Sequence, residues 1–246
     1  MKLPRWSVAP PDIIGVQRKN FRYVQIDAIA IGLTSSAAPF LPVFLTRLGG
    51  TNLQIGLLTA LPGITGLLLA VFIGRFLQQR RNIVPWFSAS RLLVVSSYAA
   101  TGIAPFVVPQ EYLIQTILAI WAIATIPQTA LAVCFSVVMN AVAGPTLRYD
   151  LMSRRWSILG LTNAITVAIA GQVLELFNFP INYQVVFTSL SIGGLLSFYF
   201  SSRISLPDSQ PPPALPGRTI GQRVGEYFKL VLAHQDGIQA QPQGGT

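Results

Sequence analysis

Phe40 to Arg81 reads FLPVFLTRLGGTNLQIGLLTALPGITGLLLAVFIGRFLQQRR, and this stretch decides the fold. It holds the end of one apolar segment, a Gly49-Gly50 stop, a second apolar segment long enough to cross a bilayer, and a basic exit. A bilayer core takes about 20 apolar helical residues to span. Gly49 and Gly50 are the residue type that ends helices, and Thr51 with Gln54 has capping-box spacing for the next one. The unit is a transmembrane hairpin whose basic end, at Arg75, Arg80 and Arg81, is expected in the cytoplasm.

Outward from this hairpin the pattern repeats. Apolar segments run over about Tyr23–Leu48, Leu53–Gly74, Pro85–Val108, Tyr112–Ala141, Trp156–Phe177 and Tyr183–Ser202, which predicts an all-α membrane protein with six transmembrane helices. Prolines fall within helix 1 (Pro39, Pro42) and helix 4 (Pro127), where a membrane bundle tolerates them if neighbours cover the freed carbonyls. Three stripes of small residues recur at a spacing of four: Gly66, Ala70 and Gly74; Gly160, Ala164 and Ala168; Ser189, Gly193, Ser197 and Ser201. Such stripes let a neighbouring helix backbone come close.

Three domains are expected: a cytoplasmic N-terminal tail at 1–22, the six-helix domain at 23–202, and a proline-rich cytoplasmic linker with a disordered tail at 203–246. Pro10, Pro11 and Asp12 would start a short surface helix, and GQRVGEYFKLVLAH (221–234) a short amphipathic one. No cleavable signal peptide and no seventh span are evident.

Composition agrees. Of the 246 residues 52% are hydrophobic and only 10% charged, against about 25% charged in soluble domains. The net charge of +9 is spread between apolar runs rather than gathered in one patch, so nucleic acid is not an expected partner. With the N-terminus inside, every Lys and Arg except Arg47 falls on inner segments, while Arg47, Glu111 and Glu175 mark the outer loops. This one-sided pattern puts both termini in the cytoplasm of a multi-pass protein of the plasma (inner) membrane.

Enzyme chemistry is disfavoured. The only histidine, His234, lies in the tail, so no membrane-embedded Ser–His pair or His-Glu-x-x-His zinc site can form. Asp27 has no second spanning aspartate for a dyad, and the single Cys134 gives neither a disulfide nor a metal cluster. No metal or cofactor is expected.

Six spans, basic loops between helices 2 and 3 and between 4 and 5, and a proline-rich segment after helix 6 resemble the N-terminal half of a major facilitator superfamily transporter. The nearest likenesses are FLPVFLTRLGGTNLQIGLL in the first hairpin and PTLRYDLMSRRWSILG entering helix 5. The resemblance implies two inverted three-helix repeats and transport of a small solute by alternating access. The family's loop signature after helix 2 is G-x-x-x-D-R/K-x-G-R/K-R/K. Here Gly74, Arg80 and Arg81 fit, but Gln78 stands where the aspartate belongs, so the carboxylate that locks that loop is missing. Helix 5 also lacks the Gly-Pro pattern of the family's drug antiporters. The family works as two six-helix halves, whereas this chain stops at the position of the middle linker. It is therefore expected to be one half of a carrier, pairing with a second half-transporter chain or with itself. The alternative is a non-transporting membrane scaffold or a truncated, inactive fragment.

Several residues are candidates for the solute or ion pathway. Asp27 is the only acid well inside helix 1, five residues past Arg22, about 7.5 Å along the axis. It reads as a proton or cation site, or as an ion pair near the cytoplasmic surface. Arg91 in helix 3 would bind an anionic substrate, snorkel to the headgroups, or pair with Asp27; similar depth favours the pair. Trp121, Gln128 and Asn140 in helix 4 would line a cavity, which the resemblance places beside helices 1 and 4, or bond between helices. Asn163 and Thr162, and Thr34, Ser35 and Ser36, pose the same choice. Gly74, Gln78, Arg80 and Arg81 are the gating-loop candidates. The Arg80–Arg81 and Arg154–Arg155 pairs read first as topology determinants drawn to anionic lipid. The scarcity of charge in the spans leans toward a neutral or amphipathic solute.

Overall fold

The structure, a computed structural model, describes residues 15–144 and 146–206. The expected surface helix after Pro10, the amphipathic 221–234 segment and the tail lie outside these residues. The described residues form helices and no strand: α1 (Gly15–Ser35), α2 (Phe40–Arg47), α3 (Asn52–Gln78), α4 (Val84–Val107), α5 (Gln110–Ala143), α6 (Arg148–Leu176) and α7 (Ile181–Ser202). With α1 and α2 counted as one crossing, six helical segments are long and apolar enough to span a membrane. The chain is an integral multi-pass membrane protein.

The first crossing differs from expectation in two ways, each for a local reason. The first helix begins at Gly15 rather than Tyr23, in residues too polar to show apolar periodicity. Polar side chains tie this early stretch down. Gln17 Nε2 donates to the last carbonyls of α5, Val142 O and Ala143 O (both 3.4 Å). Asn20 exchanges two hydrogen bonds with the backbone of Ser205, at 2.7 and 3.0 Å. The first residues of the expected linker therefore pack on α1, and Ile204 is buried. The first crossing is also interrupted at Ser36–Pro39, where Pro39 supplies no N–H. Tighter bonds carry the chain through the break, from Ala37 N to Thr34 O (3.2 Å) and from Ala38 N to Ser35 O (3.0 Å).

The turn read from Gly49-Gly50-Thr51 is present in detail. Gly49, at φ +89°, takes the left-handed position, and the amides of Gly49 and Gly50 bond to Thr46 O and Leu45 O. This is a Schellman closure. The Thr51–Gln54 capping box follows, with Thr51 N donating to Gln54 Oε1 at 2.8 Å.

The helices pack in the order α6, α1, α7, α4, α5, α3. The centre of this row depends on glycine. A Cβ at Gly193 of α7 would lie 2.9 Å from Ala30 O of α1, one at Gly194 would collide with the Val95 side chain of α4, and one at Gly102 of α4 would meet Thr188 N at 3.0 Å. The α7 small-residue stripe thus does what the sequence predicts. The other two stripes do not. Gly160, Ala164 and Ala168 are exposed, and on α3 a Cβ added at Gly66 would meet only Thr129 Oγ1, at 4.0 Å, and one at Gly74 would meet nothing within 4 Å. The row's ends, α3 and α6, carry exposed apolar side chains such as Leu67, Phe72, Leu161 and Ile169.

Two apolar clusters fill the bundle. One, at the end where α1 starts, gathers Phe21, Val24, Phe87, Val138, Met139 and Leu151. The other, beyond the break, gathers Phe44, Tyr98, Ile117, Trp121, Tyr183 and Phe187, with Phe44 stacked on Tyr183 at 5.0 Å.

Because the α7–α1 contact is to backbone, it cannot yield by a side-chain shift. Gly193→Ala is expected to destabilise the protein by roughly 1–3 kcal/mol. Gly56→Ala, on an exposed helix position with open space, should be neutral or slightly stabilising. Thermal unfolding of the detergent-solubilised variants checks the pair; equal midpoints would contradict the packing.

Candidate functional site

Asp27 sits on α1 between the two apolar clusters, where four helices converge. Its Oδ1 accepts a hydrogen bond from Ser197 Oγ of α7. Its Oδ2 lies 3.2 Å from Arg91 Nη2 of α4 and 3.7 Å from Arg155 Nη2 of α6. The side chains of Arg91, Asp27 and Arg155 are 4%, 1% and 4% exposed.

Each partner arrives for a reason found in its own helix. Ser197 follows Gly193 by four residues, on the face that lets α7 approach α1. Arg91 and Arg155 each lie seven residues beyond the first residue of their helix, about 10 Å inward. Aromatic rings cover the guanidiniums: Phe87 lies 4.7 Å from Arg91, and Phe135 and Trp156 lie 4.7 and 5.6 Å from Arg155. Such faces suit a delocalised cation.

The Asp27–Arg91 pair is the one the similar depths of the two residues favoured. Arg155 is the residue that sequence reasoning missed. With the fifth helix expected from Trp156, Arg154 and Arg155 read together as a topology marker. In fact α6 starts at Arg148, which places Arg154 and Arg155 inside a helix and on different faces. Arg154 Nε donates to Asp150 Oδ1 at 2.9 Å, four residues back, while Arg155 turns into the bundle. The Asp150–Arg154 spacing of four was the available signal, since such pairs stabilise helices.

Trp121 and Gln128 belong to a second feature, an apolar groove between α3 and α5. One cavity of about 490 Å³ runs past Pro62, Gly66, Ala70, Gln128 and Thr129. An adjoining one of about 300 Å³ reaches Leu41, Pro42, Tyr98 and Trp121, and shares Pro62 and Gln128 with the first. Small residues on both walls and a proline in each helix, Pro62 and Pro127, account for the gap where the sequence predicts close contact.

No charged side chain lines either cavity. Trp121 is fixed: its Nε1–H donates to Thr101 Oγ1 at 3.1 Å, and its ring meets Tyr98 edge-on at 4.8 Å. The Gln128 amide and the Tyr98 hydroxyl make no hydrogen bond with the described residues. With the Ser136 hydroxyl, which also lines the first cavity, they are the polar groups left available in an apolar wall.

The remaining candidates fall elsewhere. Asn140 is exposed and lines neither cavity. Asn163 Nδ2 donates to Ser35 Oγ at 2.9 Å, an interhelical bond that ties α6 to α1. Thr34 and Ser36 bond back to Ala30 O and Gly32 O of their own helix, and Thr162 packs against Gly32. At the exit of α3, Gly74 is half-buried beside open space and Gln78 is exposed. The Arg80 guanidinium lies over Phe76 (4.2 Å) and Trp86 (5.4 Å), and Arg81 is exposed. Among the described residues no three His, Cys, Asp or Glu side chains converge.

Comparison with protein-family models, with curated proteins and with solved structures gives no match.

Removing the shared carboxylate leaves two buried guanidiniums without a counter-charge. Asp27→Asn is expected to cost roughly 3–5 kcal/mol, the scale for breaking a buried pair from one side. Adding Arg91→Gln should recover part of that loss, because it removes one of the stranded charges. Unfolding midpoints of the two single variants and the double variant measure the coupling; strictly additive losses would contradict the cluster.

Proposed function

We propose that this chain is one half of an alternating-access carrier of the major facilitator type, moving a small uncharged or amphipathic solute across the membrane. The observation that carries the reading is the packing order. Let the first crossing exchange with α5, α3 with α6, and α4 with α7. The contact of α4 with α5 then becomes that of α7 with α1, and α3 with α5 becomes α6 with α1. The α4–α7 contact maps onto itself. Two triples of three crossings related in this way run in opposite senses, as the inverted repeats of such carriers do.

The groove supports the solute class. An apolar wall with a few available polar groups is the usual form of a small-molecule site, and the absence of lining charge disfavours an ionic cargo. Binding is a more natural role for this groove than catalysis. Asp27, held by three partners, acts in this reading as the anchor of the bundle rather than as a solute ligand.

The orientation remains the one the charges favour. Arg18, Lys19, Arg22, Arg75, Arg80, Arg81, Arg148 and Arg203 gather at the end where α1 starts, and Arg47, Glu111 and Glu175 at the other. In this reading the first end faces the cytoplasm of a plasma (inner) membrane, as the positive-inside pattern favours. The exposed apolar faces of α3 and α6 are where a second half, another chain or a second copy, would sit.

Counterflow of a panel of radiolabelled uncharged solutes into liposomes tests the proposal. At least one solute should exchange. Gln128→Leu should then lower its flux roughly tenfold, the value of one lost hydrogen bond of about 1.4 kcal/mol, with an unchanged unfolding midpoint. Flux that is the same for both proteins would sink the groove as the pathway. Absence of flux for every solute would favour the scaffold or inactive-fragment reading.

A further inference from the structure

The cluster at Asp27 is not charge-balanced. Two guanidiniums face one carboxylate, with side-chain exposures of only 4%, 4% and 1%, so a net charge of about +1 is enclosed where uncompensated charge is expensive. A second observation points the same way. The Nε of Arg91 and the Nε of Arg155 are both shielded from solvent and have no hydrogen-bond partner. Buried donors on a cation are among the costliest groups to leave unmatched. No other described acid pairs with these arginines: Asp150 meets Arg154 through Oδ1 at 2.9 Å, its Oδ2 being buried without a hydrogen-bond partner, and Glu111 and Glu175 lie at the opposite end.

We propose that Arg91 and Arg155, which both face Oδ2 of Asp27, form a binding site for one small oxyanion, a carboxylate or a phosphate. The guanidinium fork is suited to planar or tetrahedral oxygen acceptors, and its charge is permanent. One such anion neutralises the surplus cation and accepts from the idle Nε donors. Arg155 is the side of approach. It is held at 3.7 Å rather than 3.2 Å, it belongs to the edge helix α6, and its neighbour Trp156 is 55% exposed. The site is separate from the α3–α5 groove, which neither arginine lines, and it stands whether or not the groove carries a solute. A phospholipid headgroup and a soluble anion offer the same chemistry to it.

The test is the unfolding midpoint of the full chain in a non-ionic detergent. Sodium phosphate or sodium acetate replaces sodium chloride at constant ionic strength. In a parallel series, phosphatidic acid replaces phosphatidylcholine in the mixed micelles. The expected result is a saturable rise of several degrees in at least one series. A response to phosphate or acetate identifies a soluble anion, and a response to phosphatidic acid alone identifies a lipid headgroup. Arg155→Gln, which removes the surplus charge, should abolish the rise, while Arg154→Gln, next to it in sequence but half-buried and paired with Asp150 rather than with Asp27, should keep it. Arg91→Gln, on a different helix, gives the same reading if Arg155→Gln is not recovered folded. No saturable rise in any series, or a rise that survives the loss of either cluster arginine, overturns the proposal.

Discussion

A carboxylate inside an apolar bundle must find cations or it will not stay ionised there, and the architecture is arranged around satisfying the one at Asp27. Its partners come from α4, α6 and α7, so a single side chain fixes the relative positions of four helices. Hydrophobic burial cannot do this work between membrane helices, because lipid is as apolar as leucine. Directional polar contacts and close backbone approach must replace it. Both occur on the same face of α7, where Gly193 admits α1 and Ser197, one turn on, reaches Asp27.

The same reasoning explains the rest of the row. Where close approach and polar ties coincide, as along α1, α7 and α4, the helices are tightly joined. The outer helices attach at other points, and α6 also comes close to α1, where a Cβ at Gly32 would lie 3.0 Å from Leu159 O. Asn163 and Arg155 attach α6 to α1, and α3 leans on α5 across a groove lined by small residues. The seam between α3 and α5, where small residues face each other, is the one that leaves room for a ligand.

How much of this was legible in the sequence follows from what each signal depends on. Six crossings were readable because bilayer thickness dictates their length. The Gly49–Gln54 turn was readable because its chemistry is local, and it appears residue for residue. The Asp27–Arg91 pair was readable because spanning charges are few and must find each other. What could not be read is which face of a helix looks inward. In a soluble protein apolar periodicity reports that, but here both lipid and core favour apolar residues, so the stripes on α3 and α6 resembled the one on α7 and behave differently. Arg155 was hidden for a related reason. A basic stretch between two apolar runs looks the same whether it is a loop or the first two turns of a helix, and only the i, i+4 spacing of Asp150 and Arg154 distinguishes them.

The central claim, that the bundle is half of a carrier, is tested most directly by the protein mass of the transporting particle. The chain would be extracted from its own membranes in mild detergent, its mass corrected for bound detergent, and the same particle reconstituted for flux. The account predicts an active particle of about twice the 26.7 kDa of one chain, the second half being either a copy or another half-transporter. A single chain that carries solute on its own would contradict it.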